Sequence, residues 1–210
     1  MQKLSSVGKL LAGLTGLVVV LSGCIKMDMD MKVNKDETIE GSAIIAFSTQ
    51  LLEMTGQKKS DMVKEIKKDW KDLPKGAKAE VYDKDGFIGQ KITFKNMPAS
   101  EFGKVTQSAG SANPTGGGDE MVLVKEGGNW KFAGSMDMTG NLGGTDPSGK
   151  KSGNSGDVSA MMKGMKVKIK MTFPGKILKH DKDGKVKDKS ITWEPKAGQK
   201  VAMLAIAKAS

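Results

Sequence analysis

Arginine is absent from this chain of 210 residues, cysteine and histidine occur once each, and aromatic residues make up only 5%. Each shortage excludes something. All 34 basic side chains are lysine, so the planar fork that reads guanine edges and clamps phosphates is missing. A lone cysteine, Cys24, allows no internal disulfide and no cysteine cluster around a metal. The lone histidine, His180, stands beside Asp181 at the edge of a polar turn, without the orienting group that a serine–histidine pair requires. It reads as a solvated loop residue. Carboxylates fall in turns and on strand faces, and no acid–base pair stands out among them. The sequence therefore points to a non-enzymatic protein with no cofactor and no metal.

What is present begins at the amino terminus. Lys3 and Lys9 form a short positive region, and residues 10 to 21 read LLAGLTGLVVVL without a charge. As a helix this run spans about 18 Å, short of the ~30 Å hydrocarbon core, so it describes a secretory signal rather than a membrane span. Leu21, Ser22 and Gly23 lead into Cys24 in the pattern of a bacterial lipobox, in which the thiol takes a diacylglycerol and small residues admit the peptidase. The expectation is a signal peptide over residues 1–23 and a lipid on Cys24. Residues 24–210 then form a single domain, held to the outer face of the cell membrane. Each buried acyl CH2 contributes about 0.8 kcal/mol, so two or more chains anchor firmly.

The net charge of +10 falls to +8 once Lys3 and Lys9 are removed. Outside the cytoplasm nucleic acid is a poor partner, and the lysines favour an anionic phospholipid, a glycolipid or a wall polymer. No protein partner can be named from the residues.

Directly after Cys24, residues 25–33 (IKMDMDMKV) alternate apolar and polar, the period of a half-buried strand. Residues 38–47 read as the returning strand, and residues 49–54 as one or two helical turns. Ser60 suits the N-cap of a helix over residues 61–71, with Met62, Val63, Ile66 and Trp70 on one face. Strands follow at 77–82 and 88–94, a short helix at 98–105, and a polar loop at 108–120. A hairpin at 121–125 and 130–138 turns through Glu126-Gly127-Gly128-Asn129. Residues 140–156 form a Gly-rich mobile loop. Residues 166–173 alternate again, 176–179 and 190–193 form arms around Asp181-Lys182-Asp183-Gly184, and 201–207 close the chain as an apolar strand. The expected fold is α+β, a curved antiparallel sheet packed against one or two helices.

Three further patterns bear on chemistry. The tetrad Asp-Lys-Asp-Gly occurs at 83–86 and 181–184, but a calcium loop needs glycine at position 6, so both read as hairpin turns. Residues 144–150 (GTDPSGK) imitate a phosphate loop, yet Lys151 replaces the magnesium-binding hydroxyl and no apolar strand leads in. Methionine groups such as Met27/Met29/Met31 and Met136/Met138 suit core packing first, then a lipid-accepting pocket, and least a Cu(I) site, and periodicity does not separate the first two.

The stretch Cys24-Ile-Lys-Met-Asp-Met-Asp-Met-Lys-Val33, the stretch Asp36-Glu-Thr-Ile-Glu-Gly-Ser42 and the close Ile191-Thr-Trp-Glu-Pro-Lys-Ala-Gly198 together resemble the LppM-type lipoproteins of actinobacteria. The resemblance implies a helix-grip-like, lipid-binding architecture and a place in the cell envelope. It departs at the carboxy terminus, where mycobacterial members carry a transmembrane helix and this sequence has seven apolar residues, 201 to 207. The favoured function is binding of a lipid or glycolipid in an apolar groove between helix and sheet. Met62, Val63, Ile66, Trp70, Val167, Ile169 and Met171 are candidates for its lining. Lys64, Lys67, Lys166, Lys168 and Lys170 are candidates for anionic headgroup contacts. The alternative functions are an envelope scaffold or partner-binding module with a filled core, and a methionine-based copper carrier.

Overall fold

The computed structural model describes residues 23–105, 121–139 and 164–210. Leu21, Ser22, the rest of the expected leader up to residue 22, and the Gly-rich loop 140–156 lie outside the described residues. The chain runs β1 (Ile25–Val33), β2 (Thr38–Ser48), α1 (Thr49–Thr55), α2 (Lys59–Lys68), β3 (Ala77–Lys84) and β4 (Phe87–Pro98). It continues through β5 (Val122–Glu126), β6 (Asn129–Asp137), β7 (Lys166–Thr172), β8 (Ile177–His180), β9 (Lys185–Lys187), β10 (Ser190–Trp193) and β11 (Lys200–Lys208). The class is α+β, with strands dominating.

The strands form two sheets rather than the one expected. Seven run in the order β3-β4-β2-β1-β7-β10-β9 and four in the order β5-β6-β11-β8. Nor is the larger sheet wholly antiparallel: β1 and β7 run parallel, with Lys26 opposite Lys166 and Lys32 opposite Thr172. Alternation fixes which side chains face inward, but neither strand direction nor partner. One cluster of buried side chains joins the sheets: Met29, Met31, Ile169 and Met171 come from the larger, Phe132, Met136, Met203 and Ala205 from the smaller. At its centre the Phe132 ring stands 5.3 Å from that of Trp193 and 6.1 Å from that of Phe102. Here the methionines pack as flexible apolar filler.

The helices add a smaller cluster, in which Leu52 and Met62 meet Ile88, with Phe47, Val63 and Ile66 against them. The helix expected over residues 61–71 is shorter: α2 has ten residues and passes into a 3-10 turn at Asp69–Asp72. Ser60, expected as the cap, is its second residue. The capping serine is Ser48 of α1, whose Oγ accepts from the Leu51 N–H at 3.1 Å.

The two Asp-Lys-Asp-Gly tetrads diverge. In the first, Asp85 (φ 56°) and Gly86 (φ 76°) make a two-residue turn with both φ positive, the type I′ geometry that joins β3 to β4. The second is no hairpin. β8 pairs with β11 in one sheet and β9 with β10 in the other, so this turn carries the chain between layers. Asp181 holds it there. Its carboxylate accepts from the Leu204 N–H (2.7 Å) and the Trp193 Nε1–H (2.9 Å), and from the N–H groups of Asp183 (2.8 Å) and Gly184 (2.9 Å). Burial pushes this carboxyl up, but the four donors outweigh it and hold the group below its ordinary value.

Gly41 combines a close approach of strands with a positive φ in the central sheet. The β2–β4 register shifts between Ile39 and Gly41, and Gly41 takes φ 138°, a conformation closed to most side chains. A Cβ there would run into the Asp30 carbonyl oxygen and stand 2.9 Å from the Met31 Cα. Gly41→Val is therefore expected to cost about 2 kcal/mol of stability, read as a lower midpoint in urea unfolding.

Candidate functional site

β1 starts at Ile25, one residue after Cys24, so no linker separates that cysteine from the sheet. Cys24 is half-buried, and its carbonyl accepts from the Ser48 N–H at 2.8 Å. Gly164 closes on this point: a Cβ on it would stand 3.1 Å from the Cys24 nitrogen. Among the described residues no helix is long and apolar enough to cross a membrane.

Beside this point, at the end of the larger sheet, lies an open cleft of about 840 Å³. Its apolar lining comes from Met27 of β1, Phe87 of β4, Met165 and Val167 at the start of β7, and Pro195 and Ala197 after β10. Lys26, Lys166, Lys168 and Lys196 line it with positive charge, against Asp28, Asp85 and Glu194. Glu194 is engaged by Lys185 at 3.2 Å, so the cleft keeps a basic balance. Lys26 donates to the Tyr82 hydroxyl at 3.0 Å and lies 5.1 Å from that ring's centroid. The hydrogen bond to Tyr82 raises its pKa against a smaller lowering by burial, so its charge is fixed throughout the neutral range.

The candidates named from sequence separate into groups. Val167, Ile169 and Met171 belong to the core between the sheets, while Met62, Val63 and Ile66 belong to the helix cluster. Phe47 touches both clusters. Trp70 turns its Nε1–H to Gln90 Oε1 at 3.2 Å. The seam between helix and sheet is thus filled by these side chains. Only Val167 of the seven also lines the cleft.

Among the lysines, Lys166 and Lys168 line the cleft and are exposed. Lys170 pairs with Asp30 at 3.1 Å. Lys64 stands 3.8 Å from Asp61 on the surface of α2, and Lys67 is exposed on the same helix. Sequence reasoning missed Met165, Phe87, Lys196 and Ala197 as cleft residues. Pro195 was the available signal, since a proline directly after a strand ends pairing and opens a loop.

The family model described as "LppM domain" matches residues 26–209. Among curated proteins none matches. Of solved structures, the NMR structure of the folded domain of LppM from Mycobacterium tuberculosis is similar, with a TM-score of 0.62 and 15% identity. That likeness covers 89% of this chain and 91% of the other, and it shows a shared fold. The family match, which extends from the second residue of β1 to the residue after β11, shows that this chain belongs to the LppM domain family.

Proposed function

We propose that this protein is a cell-envelope lipoprotein, tethered to the outer face of the membrane through a lipid on Cys24, that binds one lipid or glycolipid without catalysing a reaction. The observation that carries the reading is the cleft beside Cys24, with an apolar lining and four lysines in one open space. An amphiphile with an anionic head matches both halves: its chains gain from leaving water, and its head gains from the lysines. The groove expected between helix and sheet is replaced in this reading by the cleft at the strand ends. Membership of a family named for lipoproteins supports the place in the envelope.

The test is native mass spectrometry of the protein extracted from membranes in mild detergent. An added amphiphile mass is expected, and Ala197→Trp, which fills the cleft from a loop, is expected to remove it. A clean apo mass from lipid-rich extracts counts against the reading. One observation favours a second reading, a scaffold or partner-binding module: the helix–sheet seam is packed by Leu52, Met62 and Ile88. That reading expects the apo mass in both proteins.

A further inference from the structure

The charges along β1 and β7 are not evenly matched. Far from Cys24 they pair across strands, Lys32 with Glu40 at 2.6 Å and Lys170 with Asp30 at 3.1 Å. Near Cys24 they do not. Lys166 and Lys168, two apart on one strand, share a face, and Lys26 stands opposite Lys166. Neither Lys166 nor Lys168 has an ion-pair partner among the described residues, and the same holds for Lys196 in the loop after β10. Lys168 stands opposite Asp28 without closing an ion pair with it, and Asp28 and Asp85 lie among four lysines at this end, so a positive balance remains where Cys24 lies.

The same end carries an apolar projection. The carbonyl of Cys24 accepts from Ser48, the cap of α1, and the Thr49 N–H donates to the Gly86 carbonyl at 2.8 Å. α1 therefore begins among the strand ends. Met54, near its far end, is 77% exposed, the most exposed large apolar side chain among the described residues. At 1.5 Å per residue it lies about 9 Å along from Ser48. Leu51 and Leu52 of the same helix are buried, so the exposure of Met54 is not a helix lying loose.

We propose that the Cys24 end of the domain is a docking face for an anionic phospholipid bilayer. Lys166, Lys168 and Lys196 reach headgroup phosphates there, and Met54 enters the boundary with the acyl chains. The inference rests on the tether at Cys24 and adds a fixed orientation: β1 and β7 stand with their first residues toward the membrane, and the Asn34–Glu37 turn points away. Each lysine near such a surface gains about 1 kcal/mol, roughly fivefold in occupancy. An apolar side chain on a positively charged rim is the usual composition of an interfacial contact.

The experiment uses the full chain purified from membranes and reconstituted on two kinds of vesicle. One is phosphatidylcholine alone and the other holds about 30 mol% phosphatidylglycerol. Lysines are acetylated with a soluble reagent and methionines oxidised with dilute peroxide, and each site is read by peptide mass spectrometry. On the anionic vesicles Lys166, Lys168 and Lys196 are expected to react about fivefold more slowly than on the neutral ones, and Met54 to be shielded with them. Lys35, at the opposite end of β1, serves as the reference and is expected to keep its rate. In about 1 M salt, where screening acts within ~3 Å, the lysine protection is expected to vanish. Lys166→Glu combined with Lys168→Glu changes only exposed side chains and is expected to free Lys196 and Met54 as well. Reaction at the Lys35 rate on anionic vesicles overturns the docking face while leaving the tether intact. Equal protection on both vesicles also overturns it, because the charge then plays no part. A protein that does not remain on either vesicle overturns tether and docking face together.

Discussion

Asp181→Ala is expected to lower the unfolding free energy by about 3 kcal/mol. The carboxylate receives four hydrogen bonds, and two donors are stranded without it: the Leu204 N–H in β11 and the indole N–H of Trp193, a residue with 0% exposure. A donor left unmatched away from water costs about 1–3 kcal/mol, and bonds to a charged acceptor lie at the upper end. In a domain of this size the thermal midpoint is expected to fall by about 6–12 °C. The pH dependence follows from the lowered carboxyl. Unfolded, the group titrates near 3.8, and folded it titrates lower. The stability it supplies is thus complete above that ordinary value and disappears as pH falls through the lower native one. Thermal melts of the two proteins are expected to differ fully at neutral pH and to converge in strong acid. Asp181→Asn, which keeps an acceptor oxygen, is expected to recover part of the loss. Equal melts at neutral pH would show that the turn is held by something else.

Cys24→Ala is expected to abolish lipid attachment outright. A single acyl chain holds a protein to a membrane with a constant of about 10⁴ M⁻¹, and a lipoprotein carries at least two. Losing them weakens anchoring by far more than that factor. The cleanest readout is metabolic labelling with palmitate, which is expected to fall to background while residues 1–23 stay on the chain. Label at the level of the unsubstituted protein would refute Cys24 as the acceptor. Cys24 is half-buried, and its backbone bonds to Ser48 through the carbonyl alone, so the substitution is expected to leave the thermal midpoint close to its original value.

Much of the architecture was legible because it is local. The alternation of residues 25–33 gives β1 to the residue, and positive φ at Asp85–Gly86 and Gly127–Gly128 makes the two tight hairpins that those letters announce. Long-range choices were not legible. Nothing in the period of residues 166–172 says that β7 lies parallel to β1 rather than antiparallel to a neighbour in sequence. The second tetrad shows the same limit. Asp181 and Asp83 carry the same local sequence, yet Asp181 finds donors 12 and 23 residues away and becomes a link between layers. The candidate site was half legible. Lys166 and Lys168 were named as basic surface, and they do line the cleft. Its other walls come from β4, β1 and the loop after β10, which only the assembled sheet brings together. The helix face of Met62, Val63 and Ile66 was read correctly as apolar, but an apolar face does not reveal whether a ligand or a strand covers it.

The parallel contact between β1 and β7 sets a clock on the birth of this protein. Asp30 meets Lys170 across 140 positions of chain. At ~5–20 residues per second, the ribosome delivers the second partner about 7–28 s after the first. β2 arrives early and covers one side of β1. Throughout the wait, the other side offers bare amide and carbonyl groups to any strand that comes by. An edge left open that long is where a second copy of the chain can pair in place of β7.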